Sequence, residues 1–281
     1  MSEPVTGLQA RLRLPLAVVV GAGGMAMAIA RRLGFSYRLL LADRDGPHLE
    51  RQVVALRDQG YQADGVRCDI TDPHAVRRLA EAAEQAGPVR ALAHVVGLSP
   101  SMGDGPTILG VDLVGAALVA NAFEDLARAG SAAVFIASLA AHLSALPAAL
   151  TEAVEDPLAP DLVGRVEAAA GGEIEPGLAY SLAKFGVVRM CQRKAAGLGR
   201  KGARIVSVSP GLIDSPQGDR EFEVQPSKRR LLEATPLGRL GTMVEIAEGV
   251  DFLLSDRASF VSGVDLLIDG GLSAAARFPA R

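Results

Sequence analysis

Short runs of consecutive apolar residues alternate along the chain with longer stretches in which apolar residues recur every three or four positions. The short runs are LAVVV (16–20), YRLLLA (37–42), ALAHVV (91–96), AAVFIA (132–137), RIVSV (204–208) and DLLI (265–268), with a weaker one near 63–68. Runs of this length without polar alternation read as strands covered on both faces. The stretches at 24–33, about 47–59, 73–86, 113–128, 180–199 and 243–254 carry helical spacing. Two have readable starts. Asp72-Pro73 joins a capping side chain to a proline at the first helical position, and Thr242 with Glu245 has the spacing of a capping box. Such alternation predicts an α/β fold, a doubly wound parallel sheet of about seven strands with right-handed crossovers and helices on both faces.

One stretch breaks the rhythm. Residues 142–179 separate a strand from the next long helix by far more than an ordinary connection. Ala, Leu and Val recur through it at helix-like spacing, so a helical insertion of one or two short helices is expected. Residues 1–15 lack the continuous apolar core of a signal peptide and read as a flexible leader. Residues 16–281, insertion included, read as a single domain.

Composition narrows the class. The chain is 49% hydrophobic and 4% aromatic with no Trp, a balance that suits covered central strands. A net charge of −3 and a pI near 5.9 leave no electrostatic footprint for nucleic acid or an anionic membrane. No apolar stretch is expected to reach the length of a membrane span. Cys68 and Cys191 make neither a disulfide framework nor a metal spacing, and the four histidines are scattered. A reducing, cytoplasmic setting and no metal site are the expectation.

The first run leads straight into a knot of glycines, Gly21, Gly23 and Gly24, and then into a helix through Met25. A strand that turns directly into a helix aims free backbone N–H groups at whatever lies above the turn, and glycine lets a ligand approach the main chain. A nucleotide pyrophosphate over these glycines is the functional reading; a tight turn with no ligand is the alternative. The second run ends at Asp43, where an acid can accept hydrogen bonds from the adenosine ribose and repel a 2′-phosphate. NAD(H) is therefore expected in preference to NADP(H), which the neighbouring Arg44 keeps open by its ability to pair with phosphate. Asp69 and Ile70, after the weak third strand, are candidates to flank an adenine ring.

Tyr180 and Lys184 are four residues apart on a predicted helix and share a face. A phenol is a poor proton shuttle at neutral pH until a nearby ammonium favours its phenolate. Ser138 follows a predicted strand, at the carboxyl edge where open α/β sheets bind ligands, and its hydroxyl can hold a carbonyl beside the phenol.

The glycine turn, CDITDP (68–73), Ser138, YSLAK (180–184), VSPGLIDSP (208–216) and LLIDGG (266–271) together resemble the short-chain dehydrogenase/reductase superfamily over nearly the whole chain. The resemblance implies a Rossmann-like domain that exchanges a hydride between a nicotinamide cofactor and a carbonyl or alcohol. It makes Tyr180 the general acid/base and a cofactor contact, Ser138 the carbonyl orienter and Lys184 both the modulator of the tyrosine and a ribose ligand. Pro210, Gly211, Ile213 and Ser215 would wrap the nicotinamide, and Gly97 is the glycine kept from the family's N-N-A-G stretch, which here reads His94-Val-Val-Gly97. The asparagine of the family's proton relay is Asp112 here, a negative charge expected to oppose phenolate formation and raise the working pH. The glycine turn is one residue shorter than the family pattern.

The insertion resembles that of a branch similar to bacterial 3α-hydroxysteroid dehydrogenase/carbonyl reductase, and implies a homodimer, with a tetramer as the alternative. The pocket is expected from residues 94–102, 138–143, the insertion and a mobile loop at 212–230, with Leu98, Met102, Leu139, Leu143 and Leu212 making it apolar. A small hydrophobic ketone or secondary alcohol is the expected substrate. The alternative is a non-redox enzyme, cyclase- or dehydratase-like, on the same scaffold.

Overall fold

Each apolar run of the sequence becomes a strand in the computed structural model, which describes residues 14–143, 145–215, 218 and 227–278. These are β1 (Leu16–Val20), β2 (Arg38–Asp43), β3 (Ala63–Arg67), β4 (Val89–His94), β5 (Ala132–Ile136), β6 (Arg204–Pro210) and β9 (Asp265–Ile268). They form one parallel sheet in the order β3-β2-β1-β4-β5-β6-β9. The two-residue strands β7 (Ile213–Asp214) and β8 (Gly241–Thr242) pair separately. The expected leader lies outside the described residues except for its last two positions, as does most of the loop expected at 212–230.

The largely apolar character of β1, β2, β4, β5 and β6 follows from two cores, whereas the edge strands β3 and β9 are more exposed. In β1, Leu16, Val18 and Val20 enter one core while Ala17 and Val19 enter the other, the period of two that a pleated strand imposes. The first core lies under α3 (Pro73–Ala86), α5 (Ala116–Leu126) and α9 (Pro176–Arg200), and centres on Phe123, Phe135, Leu113 and Leu182. The second lies under α1 (Gly24–Leu33), α2 (Gly46–Asp58) and α11 (Met243–Leu254), with Ile29, Leu41, Leu56 and Leu253. Full burial of each such side chain contributes roughly 1.5–3 kcal/mol relative to exposure. The expected helix starts are present. Asp72 accepts from the His74 N–H at 2.8 Å, and both bonds of the Thr242–Glu245 capping box form, at 3.2 and 2.8 Å.

The helix expected at 113–128 begins earlier. Asp104 caps α4 (Gly105–Leu109), a π-helical turn follows (Gly110–Gly115), and α5 continues the same rod. The glycines and Pro106 at its start read as breakers in sequence, whereas Pro106 stands where a helix's first turn accepts proline. The resulting 22-residue run, Gly105–Leu126, is long and apolar enough to cross a membrane by length and composition, contrary to the expectation that no stretch would be. Of its most apolar window 56% is buried in the domain, and Ile108, Leu109, Leu113 and Phe123 belong to the first core, so it is a core helix.

The insertion is helical as expected. It forms α7 (Ala148–Ala153), α8 (Leu162–Ala170) and the first turn of α9, with Leu150, Val154, Leu162 and Val166 buried. Glu155 ties it to α9 through ion pairs with Arg189 and Arg193. The remaining helices are α6 (Ala140–Leu143), α10 (Ser227–Glu233) and α12 (Leu272–Arg277). The strand order reverses direction between β1 and β4, which opens a crevice at the carboxyl ends of the strands.

Candidate active site

The glycine turn stands at one side of this crevice. Gly21 has φ +113°, a conformation that L side chains rarely adopt, and its N–H donates to Ala42 O at 2.7 Å. The Ala22 peptide is clamped from both sides: its N–H donates to Asp43 Oδ2 and its carbonyl contacts His48 Nε2, each at 2.9 Å. The other Asp43 oxygen accepts from the Asp45 N–H at 3.0 Å. Asp43 is thus fixed against the turn, and each carboxylate oxygen retains a second acceptor site. Gly23 caps α1 without a side-chain hydrogen bond, and among the described residues nothing lies within 4 Å of the place its Cβ would take. The start of α1 is thus open beside Gly23, and its first-turn N–H groups have no intrahelical partner, while Gly24 packs towards Met243 of α11. His48 carried no functional expectation; a histidine three residues into a capped helix gives no sign in sequence that it reaches back to the turn.

Arg44 is exposed, and its carbonyl accepts from Arg67 Nε at 3.1 Å. Asp69 is also exposed. Hydrogen bonds from the Thr71 hydroxyl and N–H hold its carboxyl below the usual range. Ile70 departs from expectation: its side chain is 4% exposed and packs into the place a Cβ on Gly115 would fill. It is a core residue, and only its backbone remains for an adenine.

On the other side of the turn lies a cavity of about 410 Å³. Its wall brings together Ser138, Tyr180 and Lys184 with Met25, Gly97, Pro210, Gly211, Ile213 and Ser215, from five separate stretches of sequence. Leu98, Leu139, Leu143 and Leu212 make much of the remaining wall apolar. Met102, expected there, points elsewhere and is 53% exposed. Lys228 of α10 also reaches the wall, and burial holds its ammonium below the ordinary lysine value.

Ser138 follows β5, and its Oγ accepts from the Ala140 N–H at 3.2 Å, which leaves the hydroxyl proton for a ligand. The Lys184 ammonium lies 5.5 Å from the centre of the Tyr180 ring, and donates to Ile136 O at 3.4 Å. Asp112 does not face the phenol directly, as its expected role implied. It sits in the π-helical turn, 1% exposed, with Oδ1 accepting from Leu98 N–H at 2.7 Å and Oδ2 3.0 Å from Lys184 Nζ, an ion pair off hydrogen-bond alignment. Burial opposes the charge on Lys184, but Asp112 and then Tyr180 outweigh it and hold the ammonium above the ordinary lysine value. A Cβ on Gly97 would stand 2.8 Å from Lys184 Nζ and 3.2 Å from Asp112 Oδ2, so any larger residue there would push the ammonium and the carboxylate from their present places.

His94 was expected among the pocket residues and is not on the wall. It shares the strand face of Leu92, which sends it into the first core, where it stacks on Phe135 at 5.1 Å. Burial, then the charge of Lys184, push its imidazole down to about 3, so it stays neutral at working pH.

A family model described as Enoyl-(Acyl carrier protein) reductase matches residues 20–153 and 166–273, passing over part of the insertion. Short-chain dehydrogenase/reductase bsc3 of Alternaria brassicicola is 32% identical over 90% of this chain and 94% of its own. A 2-(S)-hydroxypropyl-CoM dehydrogenase 3 of Xanthobacter autotrophicus is 31% identical over 92% and 96%. Among solved structures, a variant of actinorhodin polyketide ketoreductase with NADPH has the same fold, with a TM-score of 0.73 at 24% identity, covering 92% of this chain and 97% of that one. These matches favour redox chemistry over the cyclase- or dehydratase-like alternative. The chain belongs to the short-chain dehydrogenase/reductase family, whose members use NAD(P)(H), and it is an oxidoreductase of CH–OH and C=O groups on a single Rossmann-like α/β domain.

Proposed function

We propose that the chain interconverts a small hydrophobic ketone and its secondary alcohol, with NAD(H) as the preferred cofactor. The observation that carries this reading is the convergence of Ser138, Tyr180 and Lys184 on one largely apolar cavity beside an uncapped helix N-terminus. The residues fit a dinucleotide. Gly23 leaves room over the free N–H groups of α1 for a pyrophosphate, Asp43 stands where a ribose would present its hydroxyls, and Met25, Gly97, Pro210, Gly211, Ile213 and Ser215 line the space for the nicotinamide half. When bound, the cofactor supplies or accepts the hydride.

The protein's own groups handle the proton. Ser138 donates its hydroxyl hydrogen to the substrate oxygen and holds it next to Tyr180. In reduction the Tyr180 phenol gives its proton to that oxygen as it becomes an alkoxide; in oxidation the phenolate takes it back. Lys184, kept charged by Asp112, makes the phenolate less costly and binds the nicotinamide ribose. Asp112 has a double effect: it secures the ammonium and partly cancels its field at the phenol. The apolar wall keeps water from competing for the developing charge.

Calorimetry of NADH and NADPH against the wild type and Asp43→Ala tests the cofactor assignment. NADH is expected to bind more tightly by at least about tenfold, the difference of a 1.4 kcal/mol preference, and the variant is expected to lose that preference. Equal binding of both cofactors to the wild type would sink the assignment and move Arg44 to the front as a phosphate ligand. A homodimer in a reducing compartment is the proposed state; α7 packs on α9 and Glu155 pairs with Arg189 of α9, leaving less of its outer face for further contacts. Sedimentation equilibrium is expected to give twice the chain mass of 29.1 kDa; four times would contradict it.

A further inference from the structure

Behind the wall that carries Ser138 lies a polar node with no part in the proton chemistry above. The segment 138–143 leaves β5 and ends in α6, a single turn. Its first tie is to the end of β6, where Leu139 N–H donates to Pro210 O at 2.9 Å. Its second is His142, whose Nε2 lies 2.8 Å from Asp265 Oδ2 on β9 and 3.3 Å from Ser209 Oγ on β6. Asp265 is a carboxylate that only accepts, so Nε2 carries a hydrogen in either protonation state of the ring. The Asp265 side chain is 6% exposed, and its Oδ1, like Ser207 Oγ across the strand pair, has no hydrogen-bond partner among the described residues. The same carboxylate is felt by Cys191 on α9, where burial first and Asp265 second push the thiol up. Asp265 therefore stands in a poorly hydrated place in which a single well-made bond counts for more than on the surface.

These ties bracket the serine. Pro210 and Gly211 follow the buried Ser209 and line the cavity, as do Leu139, Ala140 and Leu143. A shift of α6 would carry the Ser138 hydroxyl away from Tyr180 while leaving the glycine turn untouched. We propose that His142 is a positioning residue for Ser138: by tethering α6 to Asp265 on the edge strand, it fixes the 138–143 segment against the end of β6. The inference rests on reading Ser138 and Tyr180 as the groups that handle the carbonyl.

The test compares the wild type with His142→Ala, His142→Gln and Asp265→Asn, using 2-octanone, acetophenone and cyclohexanone with NADH. Misplacing a positioned group by about 1 Å costs up to about a hundredfold. His142→Ala is therefore expected to lower kcat by about tenfold or more, with the NADH dissociation constant within about twofold of the wild type. His142→Gln can still donate to Asp265 and is expected to recover most of the loss. Asp265→Asn keeps the shape but weakens the bond, and is expected to follow His142→Ala with a smaller fall. If the alanine variant does not fold, the glutamine and asparagine variants decide by the same comparison. Unchanged kcat in an active series would overturn the positioning role alone, as would an equal loss in all three variants or a matching loss of NADH affinity. A wild type that binds NADH and reduces none of the ketones would overturn the parent reading, and this one with it.

Discussion

Asp112→Ala is expected to destabilise the folded chain by about 3–5 kcal/mol, the cost typical of removing one partner from a buried ion pair. The substitution leaves the Lys184 ammonium buried without its counter-charge, and strips the Leu98 N–H of its acceptor. Urea unfolding monitored by circular dichroism measures the loss. In the wild type, Lys184 is held above the ordinary lysine value, so the stabilisation from its charge is complete below roughly pH 10.4 and fades only as pH rises through the higher folded-state value. Asp112→Asn is the informative companion. It can keep the Leu98 bond and removes only the negative charge, so its destabilisation should be smaller. The phenol then feels more of the lysine field, and the acidic limb of the alcohol-oxidation profile is expected to move to lower pH. A limb that stays in place, with both variants as stable as the wild type, would mean that the pair has no hold on either the fold or the tyrosine.

Tyr180→Phe is expected to reduce turnover by about 10²–10⁴-fold, the range that a positioned acid/base supplies. The ring still fills its place at the cavity wall and beside Lys184, so NADH affinity and thermal stability should stay close to those of the wild type. Initial rates with the ketone panel, alongside calorimetry of NADH, separate the two effects. Loss of binding and of rate together would assign the tyrosine to holding the cofactor rather than to proton transfer.

Much of the fold was legible because its strands are apolar at consecutive positions, which only burial on both faces explains. The run at 16–20, the glycines after it and the helix of α1 could be read in one pass, since local chemistry alone sets that turn. The rod from Gly105 to Leu126 starts ahead of the expected 113–128, because Asp104 caps it and packing of Ile108 and Leu109 in the first core overrides the low helix propensity of its glycines. The site divides in the same way. Helical spacing puts Tyr180 and Lys184 on one face but says little alone; Ser138, read from its place at the carboxyl edge of a strand, gives the pair its meaning, and the resemblance to a family assigns the roles. The bond of Asp112 to Lys184 had a faint signal: a lone acid in the apolar stretch GVDLVG must be buried and must find a partner. His142 and Asp265 are 123 residues apart, with nothing in either neighbourhood to connect them. At Ile70 spacing left the side chain's direction open, and it enters the core where Gly115 makes room.

The most direct test is to follow deuterium from NADH carrying deuterium at both C4 positions of the nicotinamide into the product of a reduced ketone, with wild type and Tyr180→Phe side by side. The wild type is expected to deliver the label to the carbinol carbon, and the variant to deliver it to the same carbon but far more slowly. Product formed without label, or no product from any ketone despite bound NADH, would contradict hydride exchange in the cavity that Ser138, Tyr180 and Lys184 share.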